Sequence, residues 1–368
     1  MKMVARSVFR NLVLAGAMLC SAEAAARIDD WIRLGLPLGH TPVEVVDLRV
    51  TDSLGLHGRP FGRYHQWQLN NFGFRGRDIT AQPRSGCTRI MALGASETMG
   101  YYETPGQEFP AQLADSLHAS GCSEVINAGI PGMSLKSMVA FWNSYAHRFG
   151  SQIVLVYPSP VFYLVTELPN WPAPPASTRS VATAPAVSWR PRLLDRLHDA
   201  LHTPDAIQGR RLEHWIADET AGKPESWFFH GPPEDRADAF IADLDSLVVD
   251  IRATGATPVL MTHATRSSIP SRPEDRILLL GWRRFTPRAR PDDMLRFERL
   301  AAARTRSYAA QRGIAVVDVD SALTGRYQLF GDVVHFTNQG SAIVAGTIAR
   351  TLTSSKLIPM PQRALTDR

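Results

Sequence analysis

Apolar and polar positions fall into blocks of two alternating kinds along most of the chain. Ile90–Leu93 is a short, unbroken apolar run, the pattern of a strand covered on both faces. Phe109–Ser120 carries apolar residues at helical spacing. Val125–Asn127 reads as a second strand, followed by a turn at Gly129-Ile130-Pro131-Gly132 and a helix over about Leu135–Phe149. Gln152–Tyr157 is apolar and β-branched, a third buried strand. Further on, helix Ala237–Thr254 leads into strand Thr257–Thr262, and helix Asp292–Arg312 into strand Ile314–Asp318. Gln339–Leu352 is a closing helix. This alternation predicts an α/β fold: one parallel sheet of about five strands with helices on both faces, in three α/β/α layers. No repeat of solenoid period is present.

Two regions break the alternation. Residues 27–85 precede the first core strand as an N-terminal extension expected to pack on the core. Residues 166–235, rich in Pro, Ala and Trp, form a long insertion after the third core strand, with helices expected around Arg192–His202 and Ile207–Glu219. So long an insertion is either a lid or binding loop, or a surface excursion without function. The core domain then covers 86–355, and 356–368 is a C-terminal tail.

The first 26 residues differ in kind. Lys2, Arg6 and Arg10 precede the apolar run Leu12–Leu19, and small residues follow at Ser21-Ala22-Glu23-Ala24-Ala25-Ala26. This is the pattern of a cleaved secretory signal, with Ala22-x-Ala24 or Ala24-x-Ala26 as the cleavage site. The run is short for a membrane span, so the mature chain is expected to have none and to be periplasmic or extracellular. A lipoprotein modified at Cys20, or an uncleaved anchor, is the alternative. Composition agrees with a folded chain: 44% of the 368 residues are hydrophobic, 20% are charged, and the mean hydropathy is −0.13. The net charge of +5 lies partly in the signal, and so mild a surplus does not point to nucleic acid.

Beyond Cys20 there are Cys87 and Cys122, in matching places. Cys87 stands seven residues before Gly94 and Cys122 seven before Gly129. If the two strands are neighbours in a parallel sheet, these thiols lie side by side at the strand entrances, in reach of a disulfide. An oxidising compartment would form it.

The candidate chemistry sits at opposite ends of the core. Gly94-Ala95-Ser96-Glu97-Thr98 is a sharp turn at the end of a strand, which exposes the Ser96 hydroxyl beside the free N–H groups of a helix start. Gly331-Asp332-Val333-Val334-His335 offers a carboxylate and an imidazole three residues apart, the parts that activate such a hydroxyl. In this order, with the glycine turn at 129–132 between them, the motifs resemble those of the SGNH (GDSL-like) serine hydrolase superfamily. Gly94-Ala95-Ser96 stands where that family has its first block, there usually Gly-Asp-Ser. Asn127-Ala128-Gly129-Ile130-Pro131-Gly132 resembles the second block and Asp332-x-x-His335 the last. Asn70-Asn71-Phe72-Gly73-Phe74-Arg75-Gly76 resembles a lead-in found in bacterial relatives.

The resemblance spans roughly residues 65–165 and 235–355 and implies a flavodoxin-like sheet. It also implies Ser96 as nucleophile, His335 as general base, Asp332 as its orienting partner, and an oxyanion hole from the N–H groups of Ser96 and Gly129. The third block departs from the family: where Gly-x-Asn-Asp is usual, Pro158-Ser159-Pro160 follows the strand. Ser159 is the candidate replacement for the missing Asn donor, since the prolines have no N–H.

Together with the secretory signal, the resemblance implies an exported, cofactor-free esterase acting through an acyl-enzyme. The expected substrate is an O-acyl ester, foremost O-acetyl, on a polysaccharide. An O-acyltransferase to a cell-envelope polysaccharide, and a lipid or aryl-ester hydrolase, use the same residues. From another class, a catalytically weak glycan-binding or assembly protein would keep the fold.

Other candidates are His263 at a strand end, which is either a site residue or a loop's hydrogen-bond partner. An arginine-rich stretch from Arg283 to Arg306 reads as a solvated face or an anionic-glycan patch. Trp171, Trp189, Trp215 and Trp227 are candidates for sugar stacking or for packing. No residue cluster has metal-ligand spacing and no glycine-rich phosphate loop is present.

Overall fold

The computed structural model describes residues 2–34, 38–39, 48–64, 67–118, 121–165, 191–200 and 205–358. Helix α1 (Lys2–Leu34) comes first, followed by four short strands, β1 (Arg49–Asp52), β2 (Gly55–Gly58), β3 (Arg63–Tyr64) and β4 (Trp67–Gln68). The core begins with β5 (Thr88–Gly94), α2 (Ser96–Met99), α3 (Phe109–Leu117), β6 (Ser123–Gly129), α4 (Leu135–Ser144) and β7 (Ile153–Tyr157). Helices α5 (Arg192–Ala200) and α6 (Asp205–Thr220) lie in the insertion. Then follow α7 (Glu234–Ala253), β8 (Thr257–Met261), α8 (Arg276–Arg283), α9 (Pro291–Arg312), β9 (Ala315–Val317), α10 (Val319–Leu323) and α11 (Asn338–Ser354).

Five strands form one parallel sheet in the order β6-β5-β7-β8-β9. Counted within the sheet this is 2-1-3-4-5, the flavodoxin-like order, in which ligands gather at the carboxyl edge where the winding reverses. Here that is the edge between β5 and β7. Period-two alternation divides the core into two layers. Met91, Leu93, Val154, Val156 and Leu260 pack on α4, α7 and α9, while Ile90, Ala92, Leu155, Val259 and Met261 pack on α3, α10 and α11.

Local chemistry sets the helix starts. Ser134 accepts from the Ser137 N–H at 3.2 Å to open α4, and Thr337 from Gly340 at 3.2 Å to open α11. Pro110 and Pro291 occupy first-turn positions of α3 and α9, where the missing N–H costs nothing. The helix expected to run to Phe149 stops at Ser144. Tyr145 leaves helical geometry because its ring stacks on His57 at 4.1 Å and its hydroxyl donates to the Phe72 carbonyl at 2.8 Å.

The extension therefore touches the core through β2 and the lead-in segment. Asn70 Oδ1 accepts from the N–H groups of Phe72 and Phe74, folding the segment into a turn. Arg75 N–H then donates to the Asn127 carbonyl at 3.1 Å. Cys87 and Cys122 are bonded, Cα to Cα 4.5 Å, directly before the register pair Thr88 and Ser123.

Helix α1 runs unbroken through residues 21–26, and Arg6–Ile32 is long and apolar enough to cross a membrane. Near its end Asp30 binds Arg192 at 2.6 Å and Asp29 binds Arg196 at 2.6 Å, tying it to α5.

Candidate active site

Ser96 opens α2 immediately after β5. The turn is tight because two glycines at one register, Gly94 and Gly129, let α2 lie across the strand ends. A Cβ on Gly94 would strike the Thr98 side chain, and one on Gly129 the backbone of Met99. The far end of α2 is held by the lead-in: the buried Arg75 guanidinium donates to the carbonyls of Met99 and Gly100. A cation at a helix C-terminus is favourable in itself.

The loop before α11 brings its groups to the same place. His335 Nε2 lies 2.8 Å from Ser96 Oγ, and His335 Nδ1 lies 2.7 Å from Asp332 Oδ2. Asp332 Oδ1 accepts the N–H groups of Val334 at 3.0 Å and His335 at 2.9 Å, so the carboxylate is fixed by its own loop. Gly331 N–H donates to the His335 carbonyl at 2.8 Å and closes the turn. Gly331 has no room for a side chain because the Tyr102 ring lies against it.

Burial pulls the His335 pKa down, but the hydrogen bond and charge of Asp332, with the charges of Glu97 and Glu103, outweigh it and hold the imidazole above its usual value. Burial likewise acts to raise Asp332, and the His335 contact and the loop N–H groups hold it below. Two exposed rings, Tyr101 and Tyr102, flank His335 at 4.9 and 5.8 Å. Burial and the Asp332 charge raise the Tyr102 phenol, which keeps its proton and shares it with that carboxylate. Glu103, wholly buried behind them, is pushed up to about 7 by burial.

The donors for a developing oxyanion are arranged differently from expectation. The Ser96 N–H belongs to the first turn of α2, where no intrahelical acceptor exists. The Gly129 N–H donates to Asn127 Oδ1 at 3.1 Å. Ser159 does not take the place of the missing Asn. Its buried hydroxyl donates to Glu97 Oε1 at 2.6 Å, and with prolines on both sides its own backbone N–H is the one that positions 158–160 supply. The next one, from Val161, goes to Glu298 Oε1 at 3.0 Å.

Behind Ser96 lie two carboxylates that sequence reasoning missed, Glu97 and Glu298, gathered about His263, which it had left open between a site residue and a hydrogen-bond partner. His263 is buried with both nitrogens facing carboxylates, Nε2 to Glu97 at 3.2 Å and Nδ1 to Glu298 at 2.8 Å. It does not line the carboxyl-edge opening. Burial acts against its charge, yet the two carboxylates push it up to about 10. Burial also opposes the charge on Glu97, which His263, His335 and Ser159 nevertheless bring down to about 2. A glutamate directly after the serine, in a turn of otherwise uncharged residues, was the available signal.

The remaining candidates scatter. Trp171 and Trp189 lie outside the described residues. Trp215 is exposed on α6, and Trp227 stacks under Arg288 at 5.5 Å. Along the arginine stretch, Arg296 pairs with Asp293 at 2.7 Å, Arg304 with Glu234 at 2.7 Å, and Arg306 with Asp318 and Asp320 at 2.6 Å. Acidic neighbours thus meet much of its charge.

These positions lie on a three-layer α/β/α architecture, with a serine after the first core strand and an Asp-x-x-His loop before the last helix, the placement that the sequence resemblance implies. Solved structures similar to the chain include a member of the lipolytic protein G-D-S-L family from Veillonella parvula. It is 13% identical, with 72% of this chain and 98% of that chain covered and a TM-score of 0.41. A catalytic mutant of Axe2, an acetylxylan esterase from Geobacillus stearothermophilus, is 14% identical over 72% and 94% of the two chains, with a TM-score of 0.43. TesA is 13% identical over 73% and 99%, with a TM-score of 0.42. No family model matches the chain, and no curated protein matches it.

Proposed function

We propose that the protein is an exported serine esterase of SGNH type that cleaves O-acyl esters, foremost O-acetyl, on carbohydrate. The observation that carries this reading is the continuous chain Ser96 Oγ, His335, Asp332 with contacts of 2.8 and 2.7 Å. In the mechanism, His335 Nε2 takes the Ser96 proton as Oγ attacks the ester carbon, and returns it to the leaving alcohol. Asp332 holds Nδ1 and stabilises the imidazolium. Water then attacks the acyl-enzyme by the same route and releases the acid.

The oxyanion is received by the Ser96 N–H and by the Gly129 N–H, which exchanges Asn127 Oδ1 for the substrate oxygen. With Ser159 turned to Glu97, the third donor is missing, and one donor fewer lowers the rate about 100–1,000-fold. A slow enzyme is expected. The carbohydrate preference is supported by the exposed Tyr101 and Tyr102 rings beside His335, on which the C–H face of a sugar packs well. Export is supported by the apolar α1 and by the Cys87–Cys122 bond, which belongs to an oxidising compartment.

The test is hydrolysis of p-nitrophenyl acetate, longer acyl esters and an acetylated polysaccharide by the mature chain, beside Ser96→Ala. Loss of activity in the variant, with preference for acetyl, is the expected result. Equal near-background rates for both proteins on every ester would remove the esterase reading.

A further inference from the structure

The Glu97 carboxylate is an expensive group to keep where it is. It is buried, adjacent in sequence to the nucleophile, and a buried charge survives only when it is paired and hydrogen-bonded. Its Oε1 accepts from Ser159 Oγ at 2.6 Å and from His263 Nε2 at 3.2 Å, and its Oε2 lies 3.4 Å from Ser96 Oγ. A carboxylate only accepts, so an imidazole with a carboxylate on each nitrogen carries both protons. The His263 cation thus lies between Glu97 and Glu298, and Glu298 in turn accepts the Val161 N–H.

This chain of contacts joins α2, the segments leaving β7 and β8, and α9. It does so where Pro158 and Pro160 deny the backbone its own donors. It also leaves one uncompensated negative charge, and Glu97 lies at its end nearest the nucleophile.

We propose, resting on the reading of Ser96 and His335 given above, that Glu97 is a positioning residue of the triad. Held by His263 and Ser159, it fixes the nucleophile turn and supplies a second negative charge that His335 faces besides Asp332. The charged and titratable groups around His335 are Asp332 on its own loop, Glu97 on α2, and Tyr101, Tyr102 and Glu103 on the segment after α2. Around His263 they are Glu97, Glu298 and the Tyr157 ring at 5.3 Å. The low Glu97 pKa keeps its charge through the working range, so it favours the imidazolium that forms when His335 accepts the serine proton.

The experiment compares the intact protein with Glu97→Gln and Glu97→Asp. It follows the rate at which a fluorophosphonate labels Ser96 as a function of pH, and in parallel the NMR titration of the His335 ring. The acid limb of labelling is expected to lie at lower pH in Glu97→Asp, where the charge retreats, and lower still in Glu97→Gln, where it is lost. The plateau rate should fall about ten- to a hundredfold through misplacement of the turn.

A group that only packs would change the plateau and leave the limb where it is. Superimposable limbs in folded variants overturn the proposal. Should Glu97→Gln fail to fold, the Asp variant alone decides. If the wild-type protein takes up no label at all, the serine-hydrolase reading fails, and the His335 titration still reads whether Glu97 raises it.

Discussion

His335 and His263 are both imidazoles within hydrogen-bond distance of a carboxylate, 2.7 Å from Asp332 and 2.8 Å from Glu298. They differ in what the other nitrogen meets. At His335 it is a hydroxyl whose proton can be taken, at the rim of the sheet, with 16% of the side chain exposed. At His263 it is a second carboxylate, and the side chain is wholly enclosed. One carboxylate makes an imidazole a base; two make it a fixed cation. The same residue pair is thus suited to chemistry or to cohesion according to its third neighbour.

The largest separation between the two should appear in turnover. Asp332→Asn offers Nδ1 an amide in place of a charge and favours the wrong tautomer, and a comparable exchange in serine proteases costs about 10⁴ in kcat. The expected outcome is that order of loss in ester hydrolysis with little change in the unfolding midpoint. Activity within tenfold of wild type would erase the distinction between the two imidazoles.

The converse change, His263→Leu, leaves Glu97 and Glu298 buried without their cation. Breaking a buried pair in this way costs about 3–5 kcal/mol, to be read from urea unfolding. A neutral result would mean that His263 is not the cohesive member.

A smaller effect lies in the pH dependence of stability. Glu97 is lowered from its usual 4.5 to about 2, so its contribution is full above 4.5 and lost as pH falls through 2. His263 is raised from 6.5 to about 10, so its contribution is full below 6.5 and lost as pH rises through 10. Together they place the greatest benefit between about 4.5 and 6.5. Unfolding midpoints across pH should decline on both sides of that window, and the double variant Glu97→Gln, His263→Gln should flatten both slopes.

What the chain discloses on its own follows from how local each feature is. The sheet was legible because Ile90–Leu93 and Gln152–Tyr157 are unbroken apolar runs, a pattern that survives without knowledge of neighbours. Asp332 and His335 share one five-residue turn, and Ser96 lies in another, so their residue types and order can be read directly. The contact of Glu97 with His263 spans 166 positions and that of His263 with Glu298 spans 35, and nothing in local spacing announces either. Ser159 was misassigned for the same reason: its acceptor belongs to another strand's turn. Strands β1–β4 are too short for period-two alternation to show, and α8 is an eight-residue helix, too short for its periodicity to stand out, that ends where the arginine-rich stretch begins.

The bond between Cys87 and Cys122 ties the entrances of the two strands whose exits carry Ser96 and Gly129. A slip of one residue between those strands would turn the two sulfurs to opposite faces of the sheet. A slip of two would carry their Cα atoms beyond about 7 Å, out of bridging range. Only chains in the register that sets Gly94 beside Gly129 can close this bond. Its oxidation state is therefore a proofreading mark, written at one edge of the sheet, for the alignment of the turn at the other.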